Sequence, residues 1–234
     1  MRIGILQTGQ APDILAPEHG DYPDMFQRLL ADQGLTFRRY HVEAMEFPTS
    51  VHDCDGWLIT GSRHGVYEGH PFIAPLEDFI RKCMAAGVPL VGICFGHQII
   101  AQAMGGKVGR FDGGWAVGPT EYDFGGEKIT LNAWHRDQVL EAPEGAKVLG
   151  CNDFCQNAAL VYGDTALTVQ AHPEFRSAFV EGLMQTRGKG VVSDEVLADA
   201  TARLDRPIDS ARLARQIADF FKAPRGAPAD RATA

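Results

Sequence analysis

Short apolar runs alternate with segments of helical apolar spacing over residues 1–104, the pattern of an α/β protein. Residues 3–6 read as a short buried strand. Residues 22–33 carry Phe26, Leu29 and Leu30 on one helical face, with Gly34 as the expected stop. Residues 37–42 and 57–60 predict two more strands. Over residues 75–86, Leu76, Phe79, Ile80, Cys83 and Met84 recur at i, i+3, i+4, i+7 and i+8, a helix opened by Pro75 and closed by Gly87. Residues 88–93 predict the next buried strand, and residues 96–104 the helix after it.

Beyond Gly105 the pattern changes. Residues 117–124 and 128–133, separated by Gly125-Gly126, predict an antiparallel hairpin. Further strands are expected at 146–150, 158–162 and 166–170. After Phe175 the spacing turns helical. Ser193 can cap a helix that aligns Val196, Ala200 and Leu204, and Leu213, Ile217, Phe220 and Phe221 form a second apolar face. No linker or repeat interrupts residues 1–222, which read as one domain. The Pro-, Ala- and Arg-rich stretch 223–234 reads as a flexible tail.

Charge narrows the choice of partners. Thirty acidic residues against 22 Lys and Arg give a formal charge of −8, which argues against nucleic-acid binding and against attraction to anionic membranes. No apolar run approaches the ~18 residues that span a bilayer, and the apolar N-terminal stretch is too short for a signal peptide. Five cysteines, an odd number, argue against a disulfide framework and for a reducing cytoplasm. Cys151 and Cys155 are four apart, but no further ligand follows at zinc-motif spacing, so no metal is expected.

The informative chemistry begins where the strand 88–93 runs through Gly92-Ile93-Cys94-Phe95-Gly96 directly into a helix. This is the cysteine version of a nucleophile elbow. The two glycines leave room for a sharp turn that projects Cys94 beside the first N–H groups of the helix, where positive partial charge favours a thiolate. The Phe95 N–H becomes an oxyanion donor. Of eight histidines, His172 fits as base, because His172-Pro173-Glu174 follows a strand and residues i and i+2 there share a side, so that Glu174 can orient the ring. His97, three residues after Cys94, reads equally well as a packing residue. Thr60-Gly61-Ser62, after the strand 57–60, offers backbone N–H groups at a strand's carboxyl end, where open α/β sheets bind ligands.

Together these motifs resemble the class I glutamine amidotransferases. Gly92-Ile93-Cys94-Phe95-Gly96-His97-Gln98 matches the family's most diagnostic stretch, and Gln170-Ala171-His172-Pro173-Glu174-Phe175 its second hallmark, with Ala171 where an aromatic is usual. Ile59-Thr60-Gly61-Ser62 is similar to the oxyanion strand, and Trp134-His135-Arg136-Asp137 to the segment that holds the glutamine backbone groups. The resemblance implies a flavodoxin-like α/β core with a mostly parallel sheet and no cofactor. It also implies Cys94, His172 and Glu174 as triad, Gly61 and Phe95 as oxyanion donors, and Gln98, Trp134, His135 and Arg136 as substrate contacts. The expected activity is hydrolysis of glutamine or a γ-glutamyl amide through a γ-glutamyl thioester. The alternatives are an ammonia-supplying subunit for a separate synthetase and a silent regulatory protein. Residues around Gly105-Gly106 and Gly114-Trp115 are more similar to the stand-alone hydrolase branch. α/β domains of this size often pair as homodimers.

Overall fold

A computed structural model describes residues 1–225. Of the expected flexible tail 223–234, residues 226–234 lie outside the described residues, and Arg225 donates to the Phe220 and Phe221 carbonyls. The order of elements is β1 (Arg2–Leu6), α1 (Ala16–His19), α2 (Tyr22–Leu29), β2 (Thr36–Tyr40), β3 (Gly56–Ile59), α3 (Ile73–Ala86), β4 (Leu90–Ile93) and α4 (Phe95–Ala103). Then follow β5 (Lys107–Arg110), β6 (Ala116–Phe124), β7 (Glu127–His135), β8 (Asp137–Glu141), β9 (Lys147–Gly150), β10 (Ala159–Tyr162) and β11 (Ala166–Val169). The described chain closes with α5 (Ser177–Leu183), a π-helical turn at Met184–Gly188, α6 (Asp194–Arg203) and α7 (Ser210–Lys222).

The central sheet has seven strands in the order β2-β1-β3-β4-β11-β10-β9. Its first five strands are parallel, and β10 and β9 add antiparallel pairings at one edge. This is the flavodoxin-like order, in which ligands sit at the carboxyl ends of the strands. The inner strands β3 and β4 carry unbroken apolar runs, as strands covered on both faces must, whereas the edge strand β2 reads Thr-Phe-Arg-Arg-Tyr and is mostly exposed. β3 and β4 are buried along their whole lengths. On one face Trp57, Leu76, Ile80 and Ile99 pack together; on the other Phe26, Val91, Leu213 and Ile217 do. Among the described residues no helix is long and apolar enough to cross a membrane.

The expected elements differ from the structure mainly at their ends. α2 stops at Leu29, short of Gly34: the buried Leu30 leaves helical geometry with φ of −99° and ψ of 12°. α3 starts at Ile73, so that Pro75 lies in its first turn, and Gly87 ends it in the left-handed conformation with φ of 68°. The hairpin is longer than expected: β6 and β7 pair from Ala116–His135 to Phe124–Glu127 across Gly125 and Gly126, whose φ values of 66° and 95° only glycine adopts readily. β5 and β8 form a small antiparallel sheet that the apolar pattern did not announce.

Candidate active site

Cys94 sits between β4 and α4 with φ of 53° and ψ of −103°, a strained conformation for a residue with a side chain. Its N–H donates to the Val169 carbonyl and its own carbonyl accepts from Gln98, so both sides of the turn are tied down. The flanking glycines are required by close approach. A Cβ on Gly92 would lie 2.4 Å from the Gly96 carbonyl oxygen, and one on Gly96 would lie 2.3 Å from that of Ile59. Phe95 is the first residue of α4, so its N–H has no carbonyl within the helix to bond.

Gly61 brings β3 to the same point. A Cβ there would be 2.9 Å from His172 Cε1 and 3.8 Å from Cys94 Cβ. The Thr60 carbonyl accepts from the Thr8 hydroxyl at 2.9 Å. Across that trans peptide, the Gly61 N–H points the opposite way.

His172 and Glu174 meet through a turn and not through strand alternation. β11 ends at Val169, and the Phe175 N–H closes back on the His172 carbonyl. His172 Nδ1 is 2.7 Å from Glu174 Oε1, and its ring stacks on Phe175 at 3.9 Å with an interplanar angle of 3°. The His172 N–H donates to the Asn132 carbonyl, and Asn132 Nδ2 donates to that of Phe175, so the hairpin holds the turn in place. Burial alone would push the imidazole down. The Glu174 carboxylate, with Cys94 adding to it, overrides burial and raises the pKa to about 10.

A cleft of about 420 Å³ opens over these groups, lined among others by Cys94, His172, Gln98, Trp134, His135 and Arg136. Gln98 Nε2 donates to the Asp137 carbonyl and to Gln170 Oε1, which fixes the amide at the cleft wall. His135 is buried and pushed down to about 3, by burial first and then by the charge on His172, so it lines the cleft as a neutral ring. Half-buried Arg136 has an Nε without a partner among the described residues. His97 turns away from the cleft, with Nδ1 2.8 Å from Thr168 Oγ1, and is a packing residue. The described residues bring no third ligand to Cys151 and Cys155; both are free thiols, and burial pushes Cys155 up to about 12.

Further residues line the cleft, and of these Arg187 carries no signal in the sequence. Tyr22 and Arg187 reach it from α2 and from the π-helical turn, so the C-terminal extension contributes to the cleft as well as to packing. Burial raises the Tyr22 hydroxyl to about 12 against the opposing pull of Arg187. Arg63, Arg110 and Trp115 complete the rim with Tyr67 and Asp137, whose side chains are hydrogen bonded at 2.8 Å. A π-turn at the C-terminal end of α5 is the one local signal that marks Arg187, and it is visible only in three dimensions.

The family model for class I glutamine amidotransferases matches residues 20–181. The chain belongs to that family. It is 29% identical over 240 residues to gamma-glutamyl peptidase 2 of Arabidopsis thaliana, covering 96% of this chain and 97% of that protein. It is 34% identical over 175 residues to gamma-glutamyl peptidase 4 of the same plant, covering 67% and 69%. A crystal structure of a glutamine amidotransferase from Methylobacillus flagellatus superposes with a TM-score of 0.74, covering 97% of this chain and 96% of that one at 22% identity. That likeness shows the shared fold.

Proposed function

We propose that the protein hydrolyses the γ-amide of glutamine or of a γ-glutamyl amide, with Cys94 as nucleophile. The observation that carries the reading is the convergence of three strand ends. The strained Cys94 turn and His172 line one cleft, Gly61 packs against both the cysteine and the imidazole, and Glu174 backs the ring at 2.7 Å. A positively charged ring beside the sulfur is the setting in which a thiol acts as a thiolate nucleophile. The sulfur attacks the γ-carbonyl, and the Gly61 and Phe95 N–H groups receive the charge on its oxygen. His172 gives its proton to the leaving nitrogen, which departs as ammonia or an amine, and a thioester remains. The neutral ring then takes a proton from water as the oxygen attacks the thioester, and the sulfur leaves as thiolate beside the recharged ring. Glu174 holds the ring in register through both halves. Arg63, Arg110, Arg136 and Arg187 give the cleft a cationic lining despite the net charge of −8, which suits a glutamyl carboxylate. Gln98 and Trp134 would serve as walls of the glutamyl pocket.

Purified protein incubated with glutamine and a panel of γ-glutamyl amides and peptides tests the reading. Turnover without a partner, with a glutamine-like alkylating agent trapped on Cys94, is the expected result. Turnover of glutamine that rises strongly only when a synthetase is added would assign the ammonia-supplying role. Absence of both turnover and Cys94 labelling would overturn catalysis and leave the silent, regulatory reading.

A further inference from the structure

The cleft rim carries a group of side chains that the proposed reaction does not use. His64, Glu68 and His70 lie on the loop between β3 and α3, and their candidate ligand atoms all fall within 4.8 Å of one another. The two imidazole centroids are 3.9 Å apart. Glu68 Oε2 is 2.7 Å from His70 Nε2 and 3.6 Å from His64 Nδ1. Three donors therefore face one point. On the far edge of His64, Nε2 meets Glu43 Oε1 at 3.0 Å. That contact selects the tautomer: Nε2 donates its proton to Glu43, and Nδ1 presents its lone pair toward Glu68 and His70. A carboxylate behind an imidazole is the outer-shell arrangement of metal-ligating histidines. Two imidazoles and one carboxylate suit a divalent transition cation, whereas magnesium and calcium favour oxygen alone.

We propose that His64, Glu68 and His70 form a seat for a divalent transition cation such as zinc, oriented by Glu43 and open at its fourth position. Tetrahedral donors about 2.1 Å from a metal stand roughly 3.4 Å apart, so rotation of the exposed Glu68 and partly exposed His70 side chains toward His64 would close the seat. The His70 side chain is 34% exposed, which gives the ion a route from solvent. Position supplies the consequence. Gly61 lies three residues before His64 on the same loop. The rings of His64 and His70 contact Phe72, which in turn contacts Phe95. A bound ion braces both backbone segments that carry the proposed oxyanion donors.

The test uses full-length Cys94→Ala protein, which removes the cleft thiol as a competing ligand, titrated with zinc and with cobalt(II). One equivalent of zinc should bind by calorimetry. Cobalt should show visible ligand-field bands without a sulfur charge-transfer band. Adding His64→Ala or His70→Ala should remove this binding, and Glu43→Gln should weaken it roughly 10- to 100-fold. Amide exchange over residues 61–72 should slow on adding zinc, and should not respond to zinc once His70 is replaced. The proposal is overturned if no stoichiometric zinc binds, if the cobalt spectrum shows thiolate ligation, or if both histidine variants bind as tightly as the parent. None of these readouts needs turnover, so their failure leaves the catalytic reading standing, and the reverse holds equally.

Discussion

His172 and His97 are both buried, 3% and 0% exposed, yet their proton affinities are shifted in opposite directions. Burial pushes His97 down to about 3, and a hydrogen bond to the Asn157 backbone opposes it only weakly. The same burial acts on His172, but Glu174 at 2.7 Å and Cys94 beside the ring reverse it and hold the imidazole near 10. His97 instead faces the Thr168 hydroxyl, a neutral partner. Desolvation is thus common to both sites, and the sign of the shift depends on whether a carboxylate has been buried with the ring. In this fold the carboxylate lies at the sheet's carboxyl end, where the proposed chemistry sits, and not behind α4.

The largest effect should come from the sulfur that this charged ring serves. Cys94→Ala should lower kcat for γ-glutamyl hydrolysis by on the order of 10⁴-fold or more while the circular dichroism stays native. Retained turnover would show that the His172 environment is organised for something else. Glu174→Gln should make His172 resemble His97. Rates should fall roughly 10²- to 10⁴-fold, and the alkaline limb of kcat/KM, set near pH 10 by His172, should move toward neutrality. An unmoved limb would mean that the carboxylate is not what raises the ring.

Stability should show the same contrast as a two-sided pH profile. His172 binds its proton more tightly folded than unfolded. Its contribution is complete below about 6.5 and declines as pH rises toward 10. His97 and His135 bind protons less tightly when folded, so stability declines as pH falls from about 6.5 toward 3. Urea melts across pH should flatten on the alkaline side in Glu174→Gln and on the acid side in His97→Asn. The smallest effect should come from Thr168→Val, which deprives His97 of its 2.8 Å partner. It should cost about 1–3 kcal/mol of unfolding free energy and leave the pH–rate profile unchanged.

Legibility followed the range of the interactions. The elbow could be read because Gly92, Cys94 and Gly96 express a local requirement: the 2.4 Å and 2.3 Å approaches at the two glycines are consequences of one tight strand-to-helix turn. The Gly125-Gly126 hairpin could be read for the same reason, since its positive φ values select glycine. The pairing of β5 with β8 could not, because Lys107–Arg110 is short, partly exposed and joins a strand far along the chain. His172 and Glu174 were legible as neighbours, but a turn closed by Phe175 and pinned by Asn132, not strand alternation, brings them together.

The amino-acid order by itself determined the alternation of strands and helices, the bend at Cys94 and the adjacency of an imidazole to a carboxylate, because each arises from residues within a few positions of one another. Only the tertiary structure decided that three strand ends meet at one cleft, that Tyr22 and Arg187 join its wall, and that His97 stays neutral while His172 is charged. Those outcomes depend on which distant groups share a desolvated space, and that is settled by the strand order of the sheet and the packing around it.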